Sequence, residues 1–114
     1  MRQVTRALGW IGLVLVLTAP TIAHGLIIKS RTAQFYWVVR QDHFDNLPHR
    51  TEAARWRYIA SIRDHGPFGI GTPIWPKPTA SYWIVPGCPG RNMKPEFARL
   101  IGGGASEEVL ECRR

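Results

Sequence analysis

The front end of this chain limits it more than any other feature. Arg2, Arg6 and the amino terminus are positive, and residues 7–19 (ALGWIGLVLVLTA) then carry no charge. Pro20, Thr21, Ile22 and Ala23 follow. A basic start, an apolar middle, then a helix breaker and a small residue make the three-part layout of a secretory signal peptide. Residues 1–23 are therefore expected to be a leader cut after Ala23. The alternative is a membrane anchor over residues 8–28, because apolar character resumes at Leu26, Ile27 and Ile28 and the stretch is 21 residues long. Roughly 20 are needed to span a bilayer core, and a spanning helix tolerates the interruptions at Pro20 and His24. On either reading an N-terminal hydrophobic helix precedes the folded unit. The protein is then membrane-bound by a single pass, or secreted or periplasmic.

Residues 24–114 number 91, with 13 basic and 8 acidic side chains. A chain of that length builds one modest core and usually gains from a covalent staple. Cys88 and Cys112 are the only cysteines and stand 24 positions apart. In an oxidising compartment they are expected to form a disulfide, which stabilises by about 3 kcal/mol on the loop-entropy model.

The remainder reads as a small α+β domain with long irregular Gly/Pro-rich segments. Residues 32–40 (TAQFYWVVR) and 79–85 (TASYWIV) are aromatic and β-branched and predict strands. Residues 41–50 (QDHFDNLPHR) are polar and predict a loop. Residues 51–64 predict a helix that Thr51 caps, Glu52 suits electrostatically and Gly66-Pro67 ends. Ala53, Trp56, Ile59 and Ala60, with Ile62 to one side, fall on one face of it, and Arg55 and Arg57 lie off that face. Residues 66–78 hold seven Gly or Pro in thirteen positions, which excludes a regular helix or a central strand. Phe68, Ile70, Ile74 and Trp75 nevertheless make that stretch apolar, so it is expected to lie packed along another surface. Residues 86–90 predict a turn cluster, residues 95–101 a short helix with Pro at its first turn, and Ser106-Glu107-Glu108 the cap of a last helical turn leading to Cys112.

Chemistry-bearing motifs are few. There is no G-x-S-x-G, no C-x-x-C and no phosphate-binding glycine loop, which points away from catalysis. Cleavage after Ala23 would leave His24-Gly25 as the new amino terminus. An amino-terminal histidine can hold copper through its amine and its ring, with a second histidine completing a brace. The His24-Gly25 opening, with Ser30-Arg31 soon after, resembles that of secreted lytic polysaccharide monooxygenases and related copper proteins. That resemblance implies a copper-dependent redox protein using His24 with His43 or His49. A 91-residue remainder is too short for the sandwich fold of those enzymes. Asp42, His43, Asp45 and His49 also crowd one polar loop with ligand types suited to zinc or copper. His65 lies at a helix end, where a partly charged imidazole complements the dipole.

Twelve aromatic residues, five of them Trp, are more than so small a core hides. Some are expected on a partner surface, since Trp and Tyr favour half-wet places. Trp56, Tyr58 and Trp75, with Arg55 and Arg57, are the candidate binding residues. Export removes the chain from most nucleic acid, so its basic excess suits an anionic membrane or polysaccharide surface instead. The leading expectation is a small exported or membrane-anchored basic protein that acts by binding. It would be an accessory subunit of a membrane protein complex or a secreted binding module. The alternatives are the copper protein above and a membrane-active or lysis protein. No cofactor is expected outside the copper reading.

Overall fold

The two aromatic runs pair with each other and organise everything else. In the computed structural model, which describes residues 25–112, β2 (Phe35–Arg40) lies antiparallel to β5 (Ser81–Gly87) over six matched positions, with Trp37 opposite Val85, Val38 opposite Ile84 and Val39 opposite Trp83. Neither run alternates between apolar and polar residues. A strand buried on both faces reads as a continuous apolar run, and both faces of this pair are covered.

Two short elements complete that sheet. β3 (Phe68–Gly69) pairs with the start of β2, and β6 (Arg99–Gly102) pairs with the first half of β5, giving the order β3-β2-β5-β6. A second sheet joins three more of the described strands. Its centre is β1 (Leu26–Ser30), antiparallel to β4 (Pro73–Ile74) and parallel to β7 (Glu107–Leu110). The first and last strands described therefore lie side by side.

Side-chain parity divides the core in two. On one face of the central sheet, Tyr36, Ile84 and Ile101 pack with Leu26, Ile28 and Leu110 of the second sheet. On the other face, Trp37, Val39 and Val85 pack with Phe44, Trp56 and Ile59, which come from α1 (Gln41–Asp45) and α2 (Glu52–Ser61). The result is a small, compact α+β domain of two sheets and few helices. The Tyr36 hydroxyl donates to the Thr72 carbonyl at 2.6 Å, and burial pushes its pKa up to about 12. Among the described residues Trp37 keeps a buried indole N–H without a hydrogen-bond partner.

Trp37 also explains two glycines. A Cβ on Gly66, whose φ is +133°, would lie 2.8 Å from the Tyr36 carbonyl oxygen and 3.1 Å from the Trp37 ring. A Cβ on Gly87 would lie 2.5 Å from the Gly90 carbonyl oxygen and 3.0 Å from the same indole. At both positions a backbone carbonyl leaves no room for a Cβ, and the indole packs close beside it.

Several local expectations are corrected. Part of the polar 41–50 stretch is helical, because Phe44 is buried and draws α1 onto the sheet. Pro86 and Gly87 belong to β5 rather than to a turn. The Pro86 carbonyl accepts from Lys94 N–H on the side away from β2, so the ring nitrogen also faces that side, where β6 has ended, and no ladder bond is lost. Residues 95–101 form a one-turn 3-10 helix, Pro95–Phe97, and then β6, because the open edge of β5 recruits the chain. Glu107 and Glu108 lie in β7, not in a helix cap, because β1 offers a parallel edge. The Gly/Pro-rich stretch packs on its own domain: Phe68, Ile70 and Ile74 join the first core cluster, and its two strands are two residues each.

The Cys88–Cys112 disulfide is formed. It ties the turn after β5 to the chain just past β7, and Cys112 N–H donates to the Thr32 hydroxyl at 2.8 Å. The expected leader, residues 1–23, and His24 lie outside the described residues. The last three positions of the alternative span, Leu26, Ile27 and Ile28, lie in β1, with Leu26 and Ile28 fully buried in the domain core. Among the described residues no helix is long and apolar enough to cross a membrane.

Ile84 sits in the middle of the β2–β5 ladder with none of its surface exposed. Ile84→Ala should cost about 2–5 kcal/mol. Leu100→Ala, at a residue 46% exposed on β6, should stay within about 0.5 kcal/mol. Urea unfolding of the oxidised protein measures both.

Candidate functional site

α2 places most of the expected binding residues, so its own construction comes first. The Thr51 hydroxyl accepts from Ala54 N–H at 3.1 Å, capping the first turn as the sequence predicts. Trp56 and Ile59 point into the second core cluster, and the Trp56 ring lies 4.3 Å from that of Phe44. Ala53 and Ala60, expected on the same buried face, are exposed. The helix is only partly covered by the sheet.

An open groove runs along the uncovered part. Ala53, Trp56 and Ala60 form one wall, Met93 and Pro95 the other, and Glu52, Arg57 and Glu96 add charge to the lining. Its volume is about 570 Å³. Nothing in the spacing of α2 points to Met93, Pro95 or Glu96, because they reach it only through the return of the chain after β5. The Ala53–Trp56–Ala60 spacing was the available signal, and it reads equally as core.

The other expected binding residues separate. Arg55 lies over the Phe44 ring, 5.8 Å from its centre, and its Nε donates to the His49 carbonyl at 3.1 Å. It holds the 46–51 connection to the helix. Tyr58 is 38% exposed and its ring centre lies 4.9 Å from that of His49. Arg57 is exposed at the groove. Trp75 is far from this group in the fold, just after β4, and 69% exposed. Its indole lies against Gly25, where an added Cβ would be 3.5 Å from Nε1.

Of the expected ligand set, the structure describes His43 and His49, and each has a separate ring partner. His24 lies outside the described residues. The ring contact of His49 is with Tyr58, and that of His43 is with His65, at 5.4 Å between ring centres and 34° between planes. His65 Nδ1 is 3.1 Å from the Val38 carbonyl oxygen, and the His65 carbonyl accepts from Val38 N–H at 3.0 Å. Burial lowers the His65 pKa, and His43 adds to the lowering, against the Val38 hydrogen bond and Asp64. Among the described residues no group of three or more His, Cys, Asp or Glu could hold a metal ion. The role of His65 beside His43 is missed by sequence reasoning, since nothing along the chain links positions 22 residues apart across a helix.

No protein-family model matches the chain, and no match is found among curated proteins or solved structures.

Arg55 and Arg57 should separate on substitution. Arg55→Ala removes a ring contact and a hydrogen bond and should cost about 1–2 kcal/mol. Arg57→Ala should leave stability within about 0.5 kcal/mol. Urea midpoints of the two variants check the difference.

Proposed function

We propose that this chain is a small exported or membrane-anchored basic protein that acts by binding, with the Trp75 end of its domain resting on an anionic lipid surface. The observation that carries this reading is the position of Trp75. It is 69% exposed and lies against Gly25, where the chain passes from the apolar front segment into β1. Tryptophan favours the headgroup level of a bilayer, where its apolar ring and its N–H are both served. An indole at that junction suits a domain held close to lipid by the segment before it. The basic excess, +7 for the full chain and +5 for residues 24–114 (13 basic against 8 acidic), favours an anionic surface. The Cys88–Cys112 disulfide suits an oxidising compartment.

The α2 groove belongs to the helix layer, across the central sheet from β1 and β4. With the Trp75 end on lipid, that groove stays open to a protein of the same membrane, as an accessory subunit requires.

Trp emission tests the lipid contact. In the full-length protein with Trp10→Phe, anionic vesicles with brominated acyl chains should quench part of the emission. Adding Trp75→Phe should remove most of that quenching. Quenching that is absent, or unchanged by Trp75→Phe, would contradict the reading.

A further inference from the structure

The chain contains the dipeptide Asp-His twice, at Asp42-His43 and at Asp64-His65. The fold brings the two imidazoles together: His43 on α1 and His65 in the turn after α2 lie with ring centres 5.4 Å apart. We propose that His43 and His65 form a two-imidazole site for a divalent transition-metal ion of the zinc and copper class.

The His65 ring is oriented in the way metal-binding imidazoles are. Its Nδ1 faces the Val38 carbonyl at 3.1 Å. A carbonyl only accepts, so Nδ1 carries the proton, and in the neutral ring Nε2 keeps its lone pair. A backbone carbonyl on the second ring nitrogen is the usual support of a ligating histidine. The carbonyl is itself fixed, because Val38 is a central residue of the β2–β5 ladder. His65 is thus a positioned, half-buried donor.

His43 supplies the second nitrogen. An imidazole bound through one nitrogen at about 2.0–2.1 Å holds its ring centre roughly 3.2 Å from the ion. Two such rings at a tetrahedral angle stand about 5.2 Å apart, close to the 5.4 Å observed. His43 is exposed on a one-turn helix, so its ring can turn to meet an ion without disturbing Phe44 beneath it. Two carboxylates lie near in sequence. Asp42 accepts the His43 backbone N–H at 2.8 Å and binds Arg40, and Asp64 acts electrostatically on His65. Imidazole pairs suit zinc, copper and nickel, whereas calcium and magnesium require oxygen ligands. With two protein ligands and water in the remaining positions, the ion exchanges readily. The site uses neither His24 nor His49 and does not depend on membrane contact.

Zinc chloride titrated into the purified protein should bind with one equivalent per chain and a Kd in the micromolar range, read by calorimetry. His43→Ala should weaken binding by more than about tenfold, and His49→Ala should leave it unchanged. His65 variants lose the Val38 contact as well, so the second readout is the nitrogen spectrum of the unsubstituted protein. The Nε2 resonance of His65 should shift on zinc addition while Nδ1 stays protonated. Absence of zinc binding, a Kd unaffected by His43→Ala, or binding abolished by His24→Ala would overturn the proposal.

Discussion

The pairing of β2 with β5 is the constraint on which this protein depends. Six residues of one strand meet six of the other, and their side chains supply both halves of the core. Odd positions of β2, Trp37 and Val39, face the helices, and even positions, Tyr36 and Val38, face the second sheet. A one-residue slip would exchange the two sets. Trp37 would then meet β1, and Tyr36 would lose its 2.6 Å hydrogen bond to Thr72. The fit around the indole at Gly66 and Gly87 fixes the same register from the outside.

The surrounding elements are short because the central pair carries them. β3 and β4 have two residues each and β6 and β7 four. None would stand alone. Each finds an edge already held in place, and the parallel contact of β7 with β1 brings the two ends of the described chain together. The disulfide then fastens the end of β5 to that junction. The exposed ion pair Lys29–Glu107 decorates one of these edges and adds little. The same layering sends Trp75 and the α2 groove to different sides of the central sheet, so the lipid contact and the protein contact proposed for them do not compete for one surface.

What could be read from the chain followed from local chemistry. Both aromatic strands, the helix capped by Thr51 and the Cys88–Cys112 bridge lie close to where residue type places them. The 95–101 and 106–110 stretches could not be read, because their strand character comes from edges elsewhere and not from their own composition. Phe44 and Leu47 were the clues that the polar 41–50 stretch folds onto the core, and two apolar residues among polar ones are a weak signal. At the candidate sites, residue types were legible and their grouping was not. The five expected binding residues separate, with Trp56 in the core, Arg55 and Tyr58 against His49, Arg57 at the groove rim and Trp75 a distant exposed indole, because spacing along α2 does not say which part of the helix the sheet covers. The histidines show the same limit: His43 meets His65 through the path of the backbone past Val38, not through any ligand motif.

The most direct test of a fold organised by one ladder is amide hydrogen exchange of the oxidised protein, read residue by residue. The account predicts that the slowest amides are those of the β2–β5 pair around Trp37–Val39 and Trp83–Val85, exchanging only on global unfolding. Amides of β3, β4 and α1 should open earlier. If the slowest amides instead lay in α2 or between β1 and β7 while the β2–β5 amides exchanged quickly, the ladder would not be what holds the domain together.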